Sequence, residues 1–201
     1  MSEYQEIQNE ENFEVVSPSA AKSHISMWET AVPPDFCEET IDLFESSCEF
    51  HEKVDSPIER CTQLNLLGPD LIEKTPRWKE VSYYVLQRVQ SYSEMYRQHY
   101  NVNFFPEEAI NESLYKKKYS AGESVNYHSH TFFPENHKRF LTINFFLNTT
   151  DDGQYVLPEH NVGIEPMMGR CLIHPPFWTH PTYQTESTSD IYCISTFLQY
   201  R

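Results

Sequence analysis

The feature that most limits what this chain can fold into is a change of period near its middle. Before about residue 100 the apolar residues recur at helical spacing, and after about residue 113 they alternate. In Arg139-Phe-Leu-Thr-Ile-Asn-Phe-Phe-Leu-Asn148, Leu141, Ile143, Phe145 and Leu147 share one side. Thr142 and Asn144 share the other with Phe140 and Phe146. A strand repeats every second residue, so this one has a dry face and a mixed face. Ile191-Tyr-Cys-Ile-Ser-Thr-Phe-Leu198 is a second run of strand-forming residues. Shorter strands are expected at Tyr115–Tyr119, Ser124–His130, Tyr155–Leu157, Asn161–Ile164, Arg170–His174 and Thr179–Tyr183. Asp152-Gly153 is a hairpin signal among them.

The earlier half, 33–100, reads as helical. Asp35 follows Pro33-Pro34 and is expected to cap a helix that carries Phe36, Ile41, Phe44 and Cys48. Thr75 and Pro76 suit the cap and first position of a second helix. Its stripe of Val81, Val85, Val89, Tyr92 and Tyr96 must pack on something, and a sheet is the expected partner. Together these patterns predict an α+β chain: a jelly-roll barrel over 113–199, with the helices packed outside the sheet. Residues 1–24 are rich in Ser and Glu and read as a flexible segment, leaving 25–201 as a single domain.

Composition excludes several functions. Acidic residues outnumber Lys and Arg by 30 to 15, so a phosphate backbone has little to bind and no nucleic-acid partner is expected. Aromatics reach 14%, too many for a disordered acidic chain. No run of 18 apolar residues and no signal-peptide pattern occurs, so no membrane partner is expected and the cytoplasm is the expected location. The five cysteines are widely spaced without a CxxC pair and read as reduced, buried thiols. There is no Gly-x-Ser-x-Gly elbow, no phosphate loop and no His-Glu-x-x-His. The oligomeric state is not legible.

Histidine is the residue type to follow, at nine in a chain poor in other bases. His128 and His130 lie two apart in an expected strand, so they point to one side and can reach one metal ion. Taken alone, the pair reads more simply as two exposed or hydrogen-bonded histidines. His137 and His160 fall in expected loops and read as solvated.

The order of motifs around the pair resembles the iron(II)/2-oxoglutarate-dependent oxygenases of the prolyl-hydroxylase-like kind. Tyr119-Ser-Ala-Gly122 precedes it. After it come Leu-Thr within a strand ending Phe-Leu-Asn148, then Asp-Gly153, Ile164-Glu-Pro-Met-Met-Gly169, Cys-Leu-Ile-His-Pro175 and Phe-Trp-Thr-His180. The likeness covers about 113–199. It implies an Fe(II) site in which His128 is the first ligand and His180 the distal one, with His130 between them as a third. It implies 2-oxoglutarate as cosubstrate, with Tyr119 bonded to it and Thr142, Asn144 and Arg170 around it. O2 and a small-molecule or peptide substrate would be the other partners. Trp178 is expected to pack near the distal histidine. His174 and Glu123 would stand behind the site, Glu123 also as a carboxylate able to swing in.

Two departures from the family pattern bear on the chemistry. The family's carboxylate ligand is His130 here, so three imidazoles would leave the metal its full charge and would suit Zn, Ni, Co or Cu as well as iron. The family's basic anchor for 2-oxoglutarate stands about ten residues after the distal histidine, where this chain has Asp190 and no basic neighbour. Burying that carboxylate unpaired would cost several kcal/mol. Arg170 or Arg139 could supply the cation, or each could be a surface charge. Three functions therefore stand side by side. One is an Fe(II)- and 2-oxoglutarate-dependent dioxygenase that hydroxylates a peptide side chain or small metabolite. Another is a three-His, cupin-like dioxygenase without 2-oxoglutarate. The last is an inactive oxygenase barrel kept for binding or structure.

Overall fold

The structure is a computed structural model that describes residues 23–102 and 109–201. The expected flexible lead-in falls, over 1–22, outside the described residues. The strands are β1 Ser26–Trp28, β2 Glu52–Asp55, β3 Arg60–Asn65, β4 Ala109–Tyr119, β5 Val125–His128, β6 Arg139–Phe146, β7 Tyr155–Leu157, β8 Val162–Ile164, β9 Cys171–His174, β10 Thr182–Gln184 and β11 Ile191–Tyr200. Among the described residues, three α-helices lie in the first half: α1 Pro34–Glu45, α2 Pro69–Lys74 and α3 Arg77–His99. A seven-stranded sheet runs β1-β9-β6-β11-β4-β3-β2, and a four-stranded sheet runs β5-β10-β7-β8. Every pairing is antiparallel. The result is a jelly roll with helices outside one face, as the period change predicts.

The alternation along β6 divides two cores. Leu141, Ile143 and Phe145 point outward and pack with Val81, Val85, Val89 and Tyr96 of α3. Tyr92 closes the same layer, its ring edge-on to Phe145 at 6.4 Å. The inward faces of β6 and β11 change character along their length. Asn144 lies opposite Ser195 and Thr142 opposite Phe197, whereas Phe146 lies opposite Cys193. Phe146, Cys193 and Ile191 join Leu157, Val162, Ile164 and Leu172 in a dry core between the sheets. One end of the barrel is therefore filled with apolar side chains, and the polar end is left to form a cavity.

The first half is less uniformly helical than its pattern suggests. The hairpin β2–β3 interrupts it and extends the large sheet beyond β4. Pro33 rather than Asp35 caps α1, and Asp35 sits in the first turn, where a carboxylate suits the positive end of the helix. Pro76 caps α3 with no side-chain bond, and Thr75 contributes its carbonyl to Trp78 N–H at 3.0 Å. The hairpin signal at Gly153 is a steric requirement: φ is +74°, and a Cβ there would meet Ile191 Cδ1 at 2.3 Å. All five cysteines are free, four buried and Cys48 exposed, which corrects the expectation of burial for that one. No helix among the described residues is long and apolar enough to cross a membrane.

Two of the strand boundaries that differ from the sequence reading matter for the site. β5 ends at His128, so His130 lies just beyond it, and β10 starts at Thr182, two residues after His180.

Candidate functional site

A cavity of about 480 Å³ opens at the polar end of the barrel, within the usual range for small-molecule sites. Tyr115, Lys117 and Tyr119 line it from β4, Thr142 and Asn144 from β6, and Ser195 and Phe197 from β11. Each set lies two apart, as one face of a strand requires. His128, His130, Tyr155 and Gln184 close it from the small sheet and the turn after β5, and Glu59 from the β2–β3 connection.

The histidines form a hydrogen-bonded chain whose tautomers follow from its ends. His174 Nδ1 faces the Pro175 carbonyl at 2.7 Å and must donate, so Nε2 accepts from Tyr155 Oη at 2.9 Å. Tyr155 Oη then accepts from His130 Nε2 at 3.1 Å, which leaves His130 Nδ1 bare. His128 Nδ1 donates to the Asn126 carbonyl at 2.8 Å, which leaves its Nε2 bare. These two bare nitrogens face each other at 3.1 Å. Burial holds His174 down to about 3 and pushes His130 well below the ordinary imidazole value, so both are neutral near pH 7. Two ligands of one cation at right angles, each about 2.1 Å from it, would stand about 3 Å apart.

Among the described residues, no third histidine, cysteine or carboxylate is brought to them. The residue paired with His128 across the sheet is Thr182, and directly opposed residues share a face. Thr182 is buried, with Oγ1 at 3.4 Å from His130 Nε2. His180 turns away instead. Its Nε2 donates to the Ser23 carbonyl, its Nδ1 meets Thr179 Oγ1 at 2.8 Å, and its ring lies 4.3 Å from that of His160. Burial lowers His180 to about 4. Among the described residues no group of three or more His, Cys, Asp and Glu side chains is placed to hold a metal. The residues present thus do not fit a centre of two histidines and a carboxylate, and they offer a lone imidazole pair in its place.

The other expected site residues divide. Tyr119, Thr142 and Asn144 line the cavity. Tyr119 donates its hydroxyl to Glu59, and Ser195 donates to Asn144 Oδ1 at 2.6 Å. Arg170 lies elsewhere, paired with Glu29 through two nitrogens and donating to the Glu165 carbonyl. Glu123 accepts from Ser120 N–H at 2.7 Å in the turn before β5 and does not line the cavity. Trp178 is 81% exposed rather than packed beside a histidine. His160 bonds the Thr179 carbonyl at 3.0 Å, while His137 is exposed as expected.

The cations that do face the cavity are Lys117 and Arg139. Lys117 Nζ meets Glu59 Oε1 at 2.7 Å, and Arg139 grips Glu112 with two nitrogens and donates to the His130 carbonyl at 2.8 Å. Burial would raise Glu59 and lower Lys117, yet each holds the other charged: Glu59 ends below its ordinary value and Lys117 above it. Sequence reasoning overlooked Lys117, Glu59, Tyr155 and Gln184. The alternation Tyr115, Lys117, Tyr119 was the available signal for the first. Glu59 had none, because it lies in a segment read as helical.

No family model matches the chain, and no curated protein matches its sequence. Solved structures do. A prolyl hydroxylase of Trichoplax adhaerens, in complex with a hypoxia inducible factor oxygen degradation domain peptide fragment, superposes with a TM-score of 0.71 at 16% identity, covering 99% of this chain and 94% of that one. The viral collagen prolyl hydroxylase of Paramecium bursaria Chlorella virus-1, in its 2-oxoglutarate complex, gives 0.66 at 10% identity, covering 90% and 98%. A Burkholderia pseudomallei oxidoreductase of the 2-oxoglutarate-Fe(II) oxygenase family gives 0.64 at 10% identity, covering 90% and 87%. The fold of this chain is that of these oxygenases: a prolyl-hydroxylase-like double-stranded β-helix with outer helices.

Proposed function

We propose that this chain uses the oxygenase barrel to bind a small organic molecule or a peptide side chain, without the iron and 2-oxoglutarate chemistry of the fold. One observation carries the reading: Thr182, and not a histidine, stands across the sheet from His128, while His180 is held by the Ser23 carbonyl. The charge pattern agrees. Both cavity cations already have carboxylate partners, so neither is open to the far carboxylate of 2-oxoglutarate. The chain's own residues would bind and orient a ligand through hydroxyl and carboxamide groups at the cavity floor.

A second reading keeps the chemistry. His128 Nε2 and His130 Nδ1, both bare and 3.1 Å apart, favour a cation between them. Were it Fe(II), the chain would be a non-haem dioxygenase acting on a metabolite or on a peptide, as the Trichoplax complex suggests for that protein. A single experiment separates the readings. The purified chain is given Fe(II), ascorbate, 2-oxoglutarate and O2, and succinate is measured. Succinate at the level of a protein-free control is the expected result. Fe(II)-dependent succinate release that disappears in His128→Ala would overturn the binding reading. Fe(II)-dependent O2 consumption without 2-oxoglutarate would overturn it too, in favour of a cupin-like dioxygenase.

A further inference from the structure

Two buried polar atoms in the cavity wall have no hydrogen-bond partner among the described residues: Thr142 Oγ1 and Gln184 Nε2. Thr142 is 1% exposed and Gln184 4%. Native folds rarely bury such groups unsatisfied, because the lost hydration is not recovered. Here the two come from different sheets, Thr142 on β6 and Gln184 on β10, and both line one cavity. A single ligand filling that cavity could supply a partner to each.

The chemistry of the partner follows from what each atom can do. An amide nitrogen only donates, and a hydroxyl both donates and accepts. A carboxylate would suit the amide but would bring a charge, and an ammonium group could only donate. A charged ligand also meets no surplus charge in this cavity: Lys117 is matched by Glu59 and Arg139 by Glu112. Glu59 is further occupied by the Tyr119 hydroxyl, and Arg139 by the His130 carbonyl. A ligand hydroxyl accepts from Gln184 and exchanges with Thr142 without disturbing either ion pair. Asn144 and Ser195 continue the same neutral polar surface, and Phe133 and Phe197 add apolar wall. Room of about 480 Å³ takes a molecule the size of a sugar.

We infer that the ligand of this cavity is an uncharged polyhydroxylated molecule, of the polyol or monosaccharide class, anchored by Thr142 and Gln184. The inference rests on the binding reading above and gives it a ligand class that differs from a dicarboxylate. The test is isothermal titration of the full chain with myo-inositol and D-glucose as probes, and with 2-oxoglutarate and succinate as charged controls. Thermal shift is unsuitable, because sugars stabilise proteins without binding them. Heat from at least one polyol and none from the dicarboxylates is expected. Thr142→Val removes only an unsatisfied hydroxyl, so it should fold with an unchanged or higher Tm while weakening the polyol by about tenfold. Gln184→Met should act in the same direction. A dicarboxylate binding as tightly as either polyol would overturn the inference, as would unchanged polyol affinity in Thr142→Val. So would silence from both polyols, with a crystal structure showing only ordered water on the two atoms. Failure of the binding reading itself shows separately, as Fe(II)-dependent succinate release.

Discussion

Lys116 offers the sharpest quantitative test of the physics of this fold. It alternates with Lys117 on β4, so its side chain points away from the cavity and into the core beneath α1. It is fully buried, its Nζ has no hydrogen-bond partner among the described residues, and its charge rests only on two rings. Nζ lies 4.3 Å from the Tyr192 ring centre and 4.8 Å from that of Phe44. Burial lowers its pKa from 10.5 to about 7. At about 1.36 kcal/mol per unit, a fall of that size corresponds to about 5 kcal/mol of penalty on the charged form. Below pH 7 the amine is charged in both states and the penalty is full. Between pH 7 and 10.5 the unfolded chain binds the proton that the folded chain has released, so stability rises with pH, and above 10.5 the penalty is gone.

Lys116→Met keeps the length of the side chain and removes the charge. The variant should be about 4 kcal/mol more stable than the parent at pH 7 by urea unfolding, equivalent to roughly 8–16 °C in Tm for a chain of this size. At pH 9 its advantage should shrink by about 2 kcal/mol, because folding of the parent releases the lysine's proton and that release becomes easier as pH rises. Glu45, Lys118, Cys37 and Cys193 surround the amine but are common to both proteins, so the difference isolates Lys116. A variant less stable than the parent at pH 7, or an advantage that does not change between pH 7 and pH 9, would refute the reasoning.

Three further changes test other parts of the structure. Glu59→Gln strips the counterion from partly buried Lys117 and should lower stability by about 1–3 kcal/mol at pH 7 in urea unfolding; the cost should fade as pH drops through the lowered folded pKa of Glu59, where the parent loses the same charge. Gly153→Ala puts a Cβ against Ile191 at a left-handed φ and should cost more than about 2 kcal/mol in the same assay, with the far-ultraviolet spectrum unchanged. Tyr155→Phe removes the hydroxyl between His130 and His174, leaving His174 Nε2 without its partner and His130 Nε2 with only the 3.4 Å contact to Thr182, so a loss of about 1–3 kcal/mol in thermal unfolding is expected; a neutral result would mean that the histidine chain is not formed in solution.

Much of the architecture was legible because it depends on local repetition. The alternation of β6 and the stripe of α3 each state which side chains must be covered, and the structure covers those. Tyr119, Thr142 and Asn144 were likewise readable as inward-facing residues of barrel strands, and His128 with His130 as a pair on one side. The hairpin β2–β3 was not, since its strands are short and half-exposed and carry little apolar alternation. Glu59, which holds Lys117 charged in the cavity, was lost with it.

What the sequence could not determine by itself is which residues meet across strands. His180 is a histidine at the expected distance along the chain, and nothing local distinguishes it from a ligand. Register decides: β10 begins at Thr182, opposite His128, and His180 lies before that strand, beyond Pro181, with its ring on the Ser23 carbonyl. The same holds for charge. Composition showed that bases are scarce, but only the packed structure assigns Arg170 to Glu29, Arg139 to Glu112 and Lys117 to Glu59. Side-chain periodicity is a property of a few neighbouring residues, whereas register and ion pairing are set by contacts between segments far apart in the chain.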